Sequence, residues 1–133
     1  MTLNLNMSAN PNLYSPLALA FLGDAVFGLL VREQLLLEAN RPAGQLHKHA
    51  TAQVNAQAQA KLAKELLPRL TDEEAAVFRR GKNAKPGTIP KSCTPTDYAL
   101  ATGLEALFGW LWLKGAFDRA RELIFHERGA LDG

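Results

Sequence analysis

The chain has 133 residues, of which 47% are hydrophobic and 21% are charged, and this predicts one globular domain with its own core. Lysine and arginine outnumber the acids by 15 to 13, and a net charge of only +2 excludes a strongly basic coat protein. The single cysteine, Cys93, excludes a disulfide framework and a zinc site built on several thiolates. Both long apolar stretches contain an acid and are shorter than the roughly 18–20 residues of a spanning helix. Met1–Asn10 has no basic residue and no apolar core, so we expect no signal peptide and a cytoplasmic protein.

The first half of the chain predicts two long helices. Alanine and leucine supply 44 residues while valine and isoleucine supply only 6, a balance that favours an all-α fold. Ser15 followed by Pro16 has the character of an N-cap and a first helical residue, which predicts a helix over about 16–39. The breaker at 40–44 predicts a loop, and a second helix is expected over about 46–67.

Three more helices are predicted in the second half. Thr71 and Glu74 form a capping-box pattern, which indicates a short helix to about residue 80, ended by Gly81. Residues 82–93 contain Pro-Gly and Ile-Pro pairs and predict a loop. A long apolar helix should then run from residue 94 or 96 to 113, followed by an amphipathic helix over about 117–127. We see no linker and expect a single domain over residues 1–133 with flexible termini.

The basic residues are unevenly distributed along the chain. Residues 75–96 contain no acid and five bases, whereas the remaining chain is net negative. These bases are Arg79, Arg80, Lys82, Lys85 and Lys91. A segment with this charge attracts phosphate, although a solvated loop is the alternative.

Two acids lie inside predicted helices that are otherwise apolar. Residues 22–30 read Leu-Gly-Asp-Ala-Val-Phe-Gly-Leu-Leu, and residues 103–111 read Gly-Leu-Glu-Ala-Leu-Phe-Gly-Trp-Leu. Aligned on Asp24 and Glu105, each segment has alanine next, phenylalanine three residues on and glycine four residues on. Because helices that are apolar nearly all round are buried, we expect both acids to be buried and to need a partner.

Small residues accompany both acids. Gly28 and Gly109 lie one helical turn after Asp24 and Glu105, on the same face. Further small residues near these faces are Gly23, Ala20 and Thr102. Small faces allow close approach, so we expect the two helices to cross with their acids near each other. Two carboxylates ~4 Å apart would repel by about 4 kcal/mol at an effective dielectric constant of 20.

The repulsion between the two acids could be relieved in more than one way. A divalent cation such as Mg²⁺, which keeps several waters and needs few protein ligands, is one solution and would point to phosphate chemistry. A proton shared between the two carboxyls is a second solution. The remaining alternative is structural: either acid could pair with an arginine or cap a neighbouring helix. The candidate arginines are Arg32, Arg79 and Arg80. Residue spacing alone leaves these interpretations open.

Three segments of the chain resemble one known family. The run 17–27, Leu-Ala-Leu-Ala-Phe-Leu-Gly-Asp-Ala-Val-Phe, is similar to the signature segment of the ribonuclease III catalytic domain. Residues 103–109 resemble that family's second acidic segment, and the basic stretches 80–85 and 88–91 resemble the loop before it. The resemblance covers about residues 13–125. Within the family, the length is similar to the short bacterial branch, Mini-ribonuclease III, which lacks a double-stranded-RNA-binding domain.

The resemblance implies a fold, an activity and a set of site residues. Asp24 and Glu105 match the family's metal ligands, so it implies Mg²⁺ and catalytic roles for both. It also implies an all-α helical bundle that forms a homodimer, holds an RNA duplex and hydrolyses each strand to a 5′-phosphate and a 3′-hydroxyl. For the short branch, it implies maturation of the large-subunit (23S) ribosomal RNA precursor.

Some acids of the larger family members are replaced in this chain. The corresponding positions are Leu17, Ala20, Ala43 and Thr102. The site therefore has fewer anionic ligands, and we expect modest metal affinity with more of the coordination supplied by water or by RNA phosphate.

Several further residues invite an interpretation. We expect RNA contacts from the five bases of residues 75–96 and from Lys48, which lies between His47 and His49. The two histidines do not share a helical face, so zinc binding is disfavoured. We expect Trp110 and Trp112 to pack in the core or a dimer interface. Some of Leu17, Phe21 and Phe27 should lie in that interface, and Cys93 has no chemical role.

Two alternatives to a nuclease stay open. A non-catalytic module could bind duplex RNA and would be indifferent to replacement of Asp24. An all-α nucleotide pyrophosphohydrolase also uses helical acids and Mg²⁺, but it usually clusters several glutamates. Here only Glu73 and Glu74 are adjacent, and they lie at a capping position.

Overall fold

The computed structural model describes residues 10–85 and 87–132, with side chains up to residue 125. Its helices are α1 (Pro16–Glu38), α2 (Ala43–Gln53), α3 (Ala56–Leu66), α4 (Asp72–Lys82), α5 (Pro95–Leu113) and α6 (Phe117–Asp132). Short 3-10 turns lie at Pro11–Leu13 and Leu67–Arg69. No strand occurs in the described ranges, which confirms the predicted all-α class. The expected flexible termini lie mostly outside the described residues.

Helix α5 forms the centre of the bundle. It packs most extensively against α1 and also contacts α3, α4 and α6. Its side chains Leu107 and Phe108 are fully buried, and the Phe108 ring meets Phe27 of α1 edge to face, with centroids 5.6 Å apart. A helix that is packed on all sides is expected to be apolar all round. An acid at position 105 of this helix is therefore unusual.

Side-chain caps fix several helix ends where the sequence predicts them. The Ala18 N–H donates to Ser15 Oγ at 3.2 Å at the start of α1, and Thr94 Oγ1 accepts from Asp97 N–H at 3.1 Å in α5. At α4, Thr71 and Glu74 form both bonds of the capping box. These caps satisfy N–H groups that have no partner within the helix.

The predicted single helix over 46–67 is wrong, because the structure divides it into α2 and α3. Asn55 is responsible for the break: its Oδ1 accepts from Ala58 N–H at 2.8 Å, and its Nδ2 donates to Thr51 O at 3.0 Å. One side chain thus forms hydrogen bonds with a backbone carbonyl at the end of α2 and with a backbone N–H at the start of α3. Helix α2 also starts earlier than predicted, at Ala43 directly after Pro42.

Two other boundaries differ from the prediction. Helix α4 continues through Gly81 to Lys82, because Gly81 lies against α5 and provides close packing instead of a helix end. Helix α6 extends to residue 132 and not to about 127. In the part of the chain that the structure describes, no helix is both long enough and apolar enough to span a membrane.

Candidate active site

Helices α1 and α5 cross with their backbones in contact. A Cβ atom placed on Gly23 would overlap the backbone carbonyl of Glu105, and one placed on Gly109 would overlap that of Leu19. Glycine is therefore required on both sides of the crossing. Gly28, which the sequence also suggested for this face, does not contribute: a Cβ there would meet the Arg32 side chain at 2.9 Å.

The crossing brings Asp24 and Glu105 together, as the small-residue pattern predicts. Burial, followed by the hydrogen bond with Asp24 and the charge of Asp24, raises the pKa of Glu105 to about 8. Without a cation, Glu105 is therefore mostly protonated at neutral pH. The expected burial of both acids is wrong for Asp24, which is exposed, while Glu105 is half-buried. The reason is that the face of α1 that also carries Leu17 and Phe21 is left uncovered by the described helices.

The candidate arginines do not neutralise these acids. Arg32 donates through Nη1 to Gly28 O at 3.0 Å, and Arg80 donates through Nη2 to Tyr14 O at 3.3 Å. Within the described side chains, no lysine or arginine, Arg79 included, forms an ion pair with Asp24 or Glu105. The structural alternative of an arginine partner is therefore wrong.

A cleft of about 350 Å³ opens in front of the two carboxyls. Its walls come from α1, α3 and α5. The lining residues are Leu17, Ala20, Phe21, Asp24, Ala56, Gln59, Tyr98, Ala101, Thr102 and Glu105. Gln59 is only 4% exposed and adds an amide beside Glu105, whose pKa it lowers against the larger raising effect of burial. The cleft is thus a small, oxygen-rich depression.

The donor set fits a hard divalent cation held by few protein ligands. Asp24 and Glu105 supply carboxylate oxygens, and the cleft has room for water. Across the described residues, no cluster of three or more His, Cys, Asp and Glu side chains could hold a metal ion. Mg²⁺ tolerates this arrangement because it retains several of its waters.

The glutamates expected of a pyrophosphohydrolase are used elsewhere. Glu74 accepts from Arg119 Nε and Nη2, both at 2.9 Å, and from Thr71 N–H at the same distance. The hydrogen bond from Arg119 lowers the pKa of Glu74. Glu73 pairs with Lys114 at 3.4 Å. Neither glutamate lies among the residues that line the cleft.

Some of the basic residues lie close to the Glu105 segment of the cleft, and others lie in the loop after α4 or on α2. Arg79, Arg80 and Lys82 are exposed at the end of α4, where Gly81 packs against the backbone of Thr102 and Gly103, close to Glu105 in α5. Lys85 and Lys91 are exposed in the following loop. Lys48 is exposed on α2 and is not among the cleft residues.

A groove continues from the cleft along the start of α3. A second depression shares Ala56 and Tyr98 with the cleft and is bordered by Pro90, Ser92 and Cys93 of the basic loop. A third shares Asn55 and Gln57 with the second and contains Lys61 and Lys64. The depressions therefore form a continuous surface from the carboxyls, past the loop, to two lysines.

Sequence reasoning missed Gln59, Lys61 and Lys64. With one helix predicted over 46–67, their orientation relative to the acids was undefined. The available signal was Asn55, a strong N-cap residue three positions before Ala58. A helix start there places Gln59, Lys61 and Lys64 on a separate short helix.

The aromatic and thiol residues are partly as expected. Trp110 is 2% exposed and donates through Nε1 to Asn12 Oδ1 at 2.9 Å, while the Trp112 ring packs on Phe117. Phe27 is 2% exposed within the core, so it is not available for a dimer interface. Cys93 is a free, half-buried thiol.

Comparison with known proteins identifies the family. The ribonuclease III domain family matches residues 17–116. A Symbiobacterium thermophilum protein named Mini-ribonuclease 3 is 46% identical over 126 residues, which cover 91% of this chain and 97% of that protein. A Brevibacillus brevis protein of the same name is 41% identical over 127 residues and covers 96% and 95%.

A solved structure has a similar fold. The X-ray structure of a Fusobacterium nucleatum protein superposes with a TM-score of 0.78 at 35% identity, covering 88% of this chain and 93% of that one. The fold, the matched range and the high coverage of relatives agree with each other. The chain belongs to the ribonuclease III domain family, on its Mini-ribonuclease 3 branch, and is an endoribonuclease.

Proposed function

We propose that this protein is a Mg²⁺-dependent endoribonuclease that hydrolyses double-stranded RNA with Asp24 and Glu105 as metal ligands and catalytic residues. The observation that carries the proposal is the pairing of these two carboxyls at a glycine-mediated helix crossing, where no cationic side chain among the described residues forms an ion pair with them. When bound there, the cation supplies charge neutralisation of the phosphate and activation of water. The chain itself orients the carboxyl oxygens through the rigid crossing.

Proton binding at Glu105 is part of this proposal. Because burial and Asp24 raise the pKa of Glu105 to about 8, the carboxyl has to lose its proton before it can act as an anionic ligand. Asp24 is exposed, so a cation can reach its carboxylate from the solvent side. The exposed position also leaves the phosphodiester of a bound RNA strand free to approach.

RNA binding is assigned to the basic surface next to the cleft. Its residues are Arg79, Arg80, Lys82, Lys85, Lys91 and Lys48. The placement of the first three at the end of α4, beside the Glu105 segment of α5, supports contacts with phosphates flanking the cleft. Lys48 lies on α2, outside the cleft lining. Duplex RNA presents phosphates and 2′-hydroxyls in a regular geometry that suits such contacts.

We further propose a homodimer in which residues 1–133 form one catalytic domain per protomer. An apolar stripe on α1, formed by Leu17, Phe21, Leu29 and Leu36, is exposed, and Phe21 reaches 85% exposure. Large exposed apolar patches are typical of interaction surfaces. Since Leu17 and Phe21 also line the cleft, a second protomer on this stripe would place the two active sites close to each other.

The natural substrate proposed is the precursor of large-subunit (23S) ribosomal RNA, processed in the cytoplasm. This part rests on the similarity to the short bacterial branch, supported by the high coverage of its members. A duplex stem within such a precursor fits a protein that recognises shape and phosphates and not base sequence.

The proposal is tested with a long labelled RNA duplex at several salt and Mg²⁺ concentrations. We expect cleavage that requires Mg²⁺ and acts on the duplex in preference to single-stranded RNA or duplex DNA. Duplex binding, measured in Ca²⁺, should weaken with salt. Replacing Lys82 or Lys91 by alanine should reduce the slope of log affinity against log salt by about 0.7–0.9 each, since one phosphate contact is lost.

The matched control is Lys114→Ala, because Lys114 pairs with Glu73 at the far end of α5 and should not contact RNA. A salt slope changed equally by all three substitutions would contradict the assigned RNA surface. Cleavage that persists without any divalent cation would contradict the metal-dependent chemistry.

A further inference from the structure

Gln59 is a buried amide in the wall of the carboxylate cleft. It lies on α3, a third helix besides the two that carry Asp24 and Glu105, and only 4% of it is exposed. Its Nε2 atom is fully buried and has no hydrogen-bond partner among the described residues. The amide nevertheless lies close enough to Glu105 to lower the pKa of that carboxyl.

An unpaired donor at this position is costly. A buried N–H without a partner destabilises the folded state by roughly 1–3 kcal/mol, and most buried polar groups avoid this cost. An apolar side chain of similar size would fill the space without the cost. The cost is offset if the N–H of Gln59 gains an acceptor in a functional state of the cleft.

The chemistry of the amide nitrogen limits what that acceptor can be. A side-chain N–H₂ group donates only, so it cannot ligate a cation through nitrogen. The Glu105 carboxyl lines the same cleft as this amide and is an acceptor beside it. A carboxylate has two oxygens, so Glu105 can offer one to a cation and the other to an N–H donor.

We propose that Gln59 is a positioning residue whose side-chain N–H donates to the Glu105 carboxylate when a divalent cation is held between Asp24 and Glu105. This inference rests on the proposed metal site. Hydrogen bonds of this kind orient metal-ligating carboxylates and raise metal affinity. With few protein ligands available, the orientation of Glu105 has a correspondingly large effect on binding.

The test measures Mn²⁺ binding by titration calorimetry with the full chain and without RNA. The variant Gln59→Met removes the donor and keeps the volume of the side chain. We expect Mn²⁺ affinity to fall by about tenfold or more. The melting temperature in EDTA should stay equal or rise, because an unpaired buried donor is removed.

Gln34→Met is the matched control. Gln34 is 2% exposed and also carries an unpaired buried atom, but it lies ten residues after Asp24 on α1, about 15 Å along the helix. Its replacement should leave Mn²⁺ affinity unchanged. A loss of Mn²⁺ affinity confined to Gln59→Met, with an unimpaired melting temperature in EDTA, supports the positioning role.

The opposite pattern overturns the inference. Unchanged Mn²⁺ affinity in Gln59→Met, or a lowered melting temperature in EDTA, would assign Gln59 a structural role. If neither Gln59→Met nor Gln59→Leu folds, the amide stabilises the metal-free fold and the inference fails. If Asp24→Asn abolishes Mn²⁺ binding while Gln59→Met does not change it, only this inference fails. Absence of Mn²⁺ binding by the wild type would overturn the proposed metal site as well.

Discussion

Asp24 and Glu105 are held together by backbone packing and not by attraction between their side chains. Gly23 and Gly109 allow the helices to meet, and the two carboxyls must then share a small space. The high pKa of Glu105 is the electrostatic consequence of this arrangement. Folding already holds the two acids close to each other. The binding energy of a cation would therefore not be needed to bring them together.

The protonation of Glu105 predicts how the stability of the metal-free protein depends on pH. Its pKa is raised in the folded state from 4.5 to about 8, so the folded protein holds this proton more tightly than the unfolded chain. The associated stability is complete below the unfolded value and is lost as pH rises through about 8. The melting temperature in EDTA should therefore fall between pH 6 and 9 by at least about 4 °C, the effect of about 1 kcal/mol in a domain of this size.

Glu105→Gln should remove most of this pH dependence. The titratable groups that line the cleft with Glu105 are Asp24 on α1 and Tyr98 on α5, while α3 contributes the neutral Gln59. Glu65→Gln, at an exposed site on α3, is the control and should retain the wild-type dependence. An unchanged pH profile in Glu105→Gln would show that another group controls it.

At the level of single residues, the sequence identifies the two acids and their mutual approach, but it does not identify the residues that surround them. The repeated Ala, Phe and Gly positions after each acid are a local pattern that can be read directly. The exposure of Asp24 and the contribution of Gln59 depend on which helices pack around α1. That information lies in contacts between distant parts of the chain.

At the level of whole elements, close approach of α1 and α5 is the main requirement for the site. Gly23→Ala should destabilise the protein by about 3 kcal/mol or more, because its Cβ would overlap a backbone carbonyl that cannot move aside as a side chain can. Moving the helices apart should also separate Asp24 from Glu105 and reduce cleavage. Chemical denaturation followed by circular dichroism measures the stability change.

Gly44→Ala on α2 is the matched control for that substitution. A Cβ at Gly44 would meet nothing within 4 Å, and alanine favours a helix over glycine by roughly 0.5–1 kcal/mol. The control should therefore be neutral or slightly stabilising. Equal effects of the two substitutions would show that the crossing does not depend on the glycine at position 23.

The sequence predicts helix ends where a side chain caps them locally. Ser15, Thr71 and Thr94 each accept the expected backbone N–H, and α1, α4 and α5 begin directly after these residues. The break between α2 and α3 was missed because alanine and glutamine on both sides favour continuous helix. Only the two-sided hydrogen bonding of Asn55 interrupts it. Gly81 was misread because its role is packing against another helix.

At the level of the whole molecule, the exposed stripe on α1 predicts self-association. The wild type should sediment at twice the mass of one chain. Leu29→Glu should shift the protein towards monomer, because Leu29 is 51% exposed on the stripe and lies outside the cleft. Analytical ultracentrifugation measures the shift.

Leu67→Glu is the control for the dimer prediction. Leu67 is 38% exposed in the turn after α3 and does not belong to the stripe. Leu67→Glu should leave the sedimenting mass unchanged. A monomeric wild type, or equal dissociation by both substitutions, would contradict an interface on α1.

The most direct test of the central claim is cleavage of a labelled RNA duplex in Mg²⁺ by the wild type and by Asp24→Asn. Asp118→Asn, at a fully exposed acid on α6, serves as the control. We expect cutting by the wild type and the control, and a loss of cutting by roughly a hundredfold to a thousandfold in Asp24→Asn, comparable to the removal of one preorganised electrostatic group from an active site. Duplex binding in Ca²⁺ should be retained. Undiminished cutting by Asp24→Asn would contradict the assignment of the chemistry to the carboxyl pair.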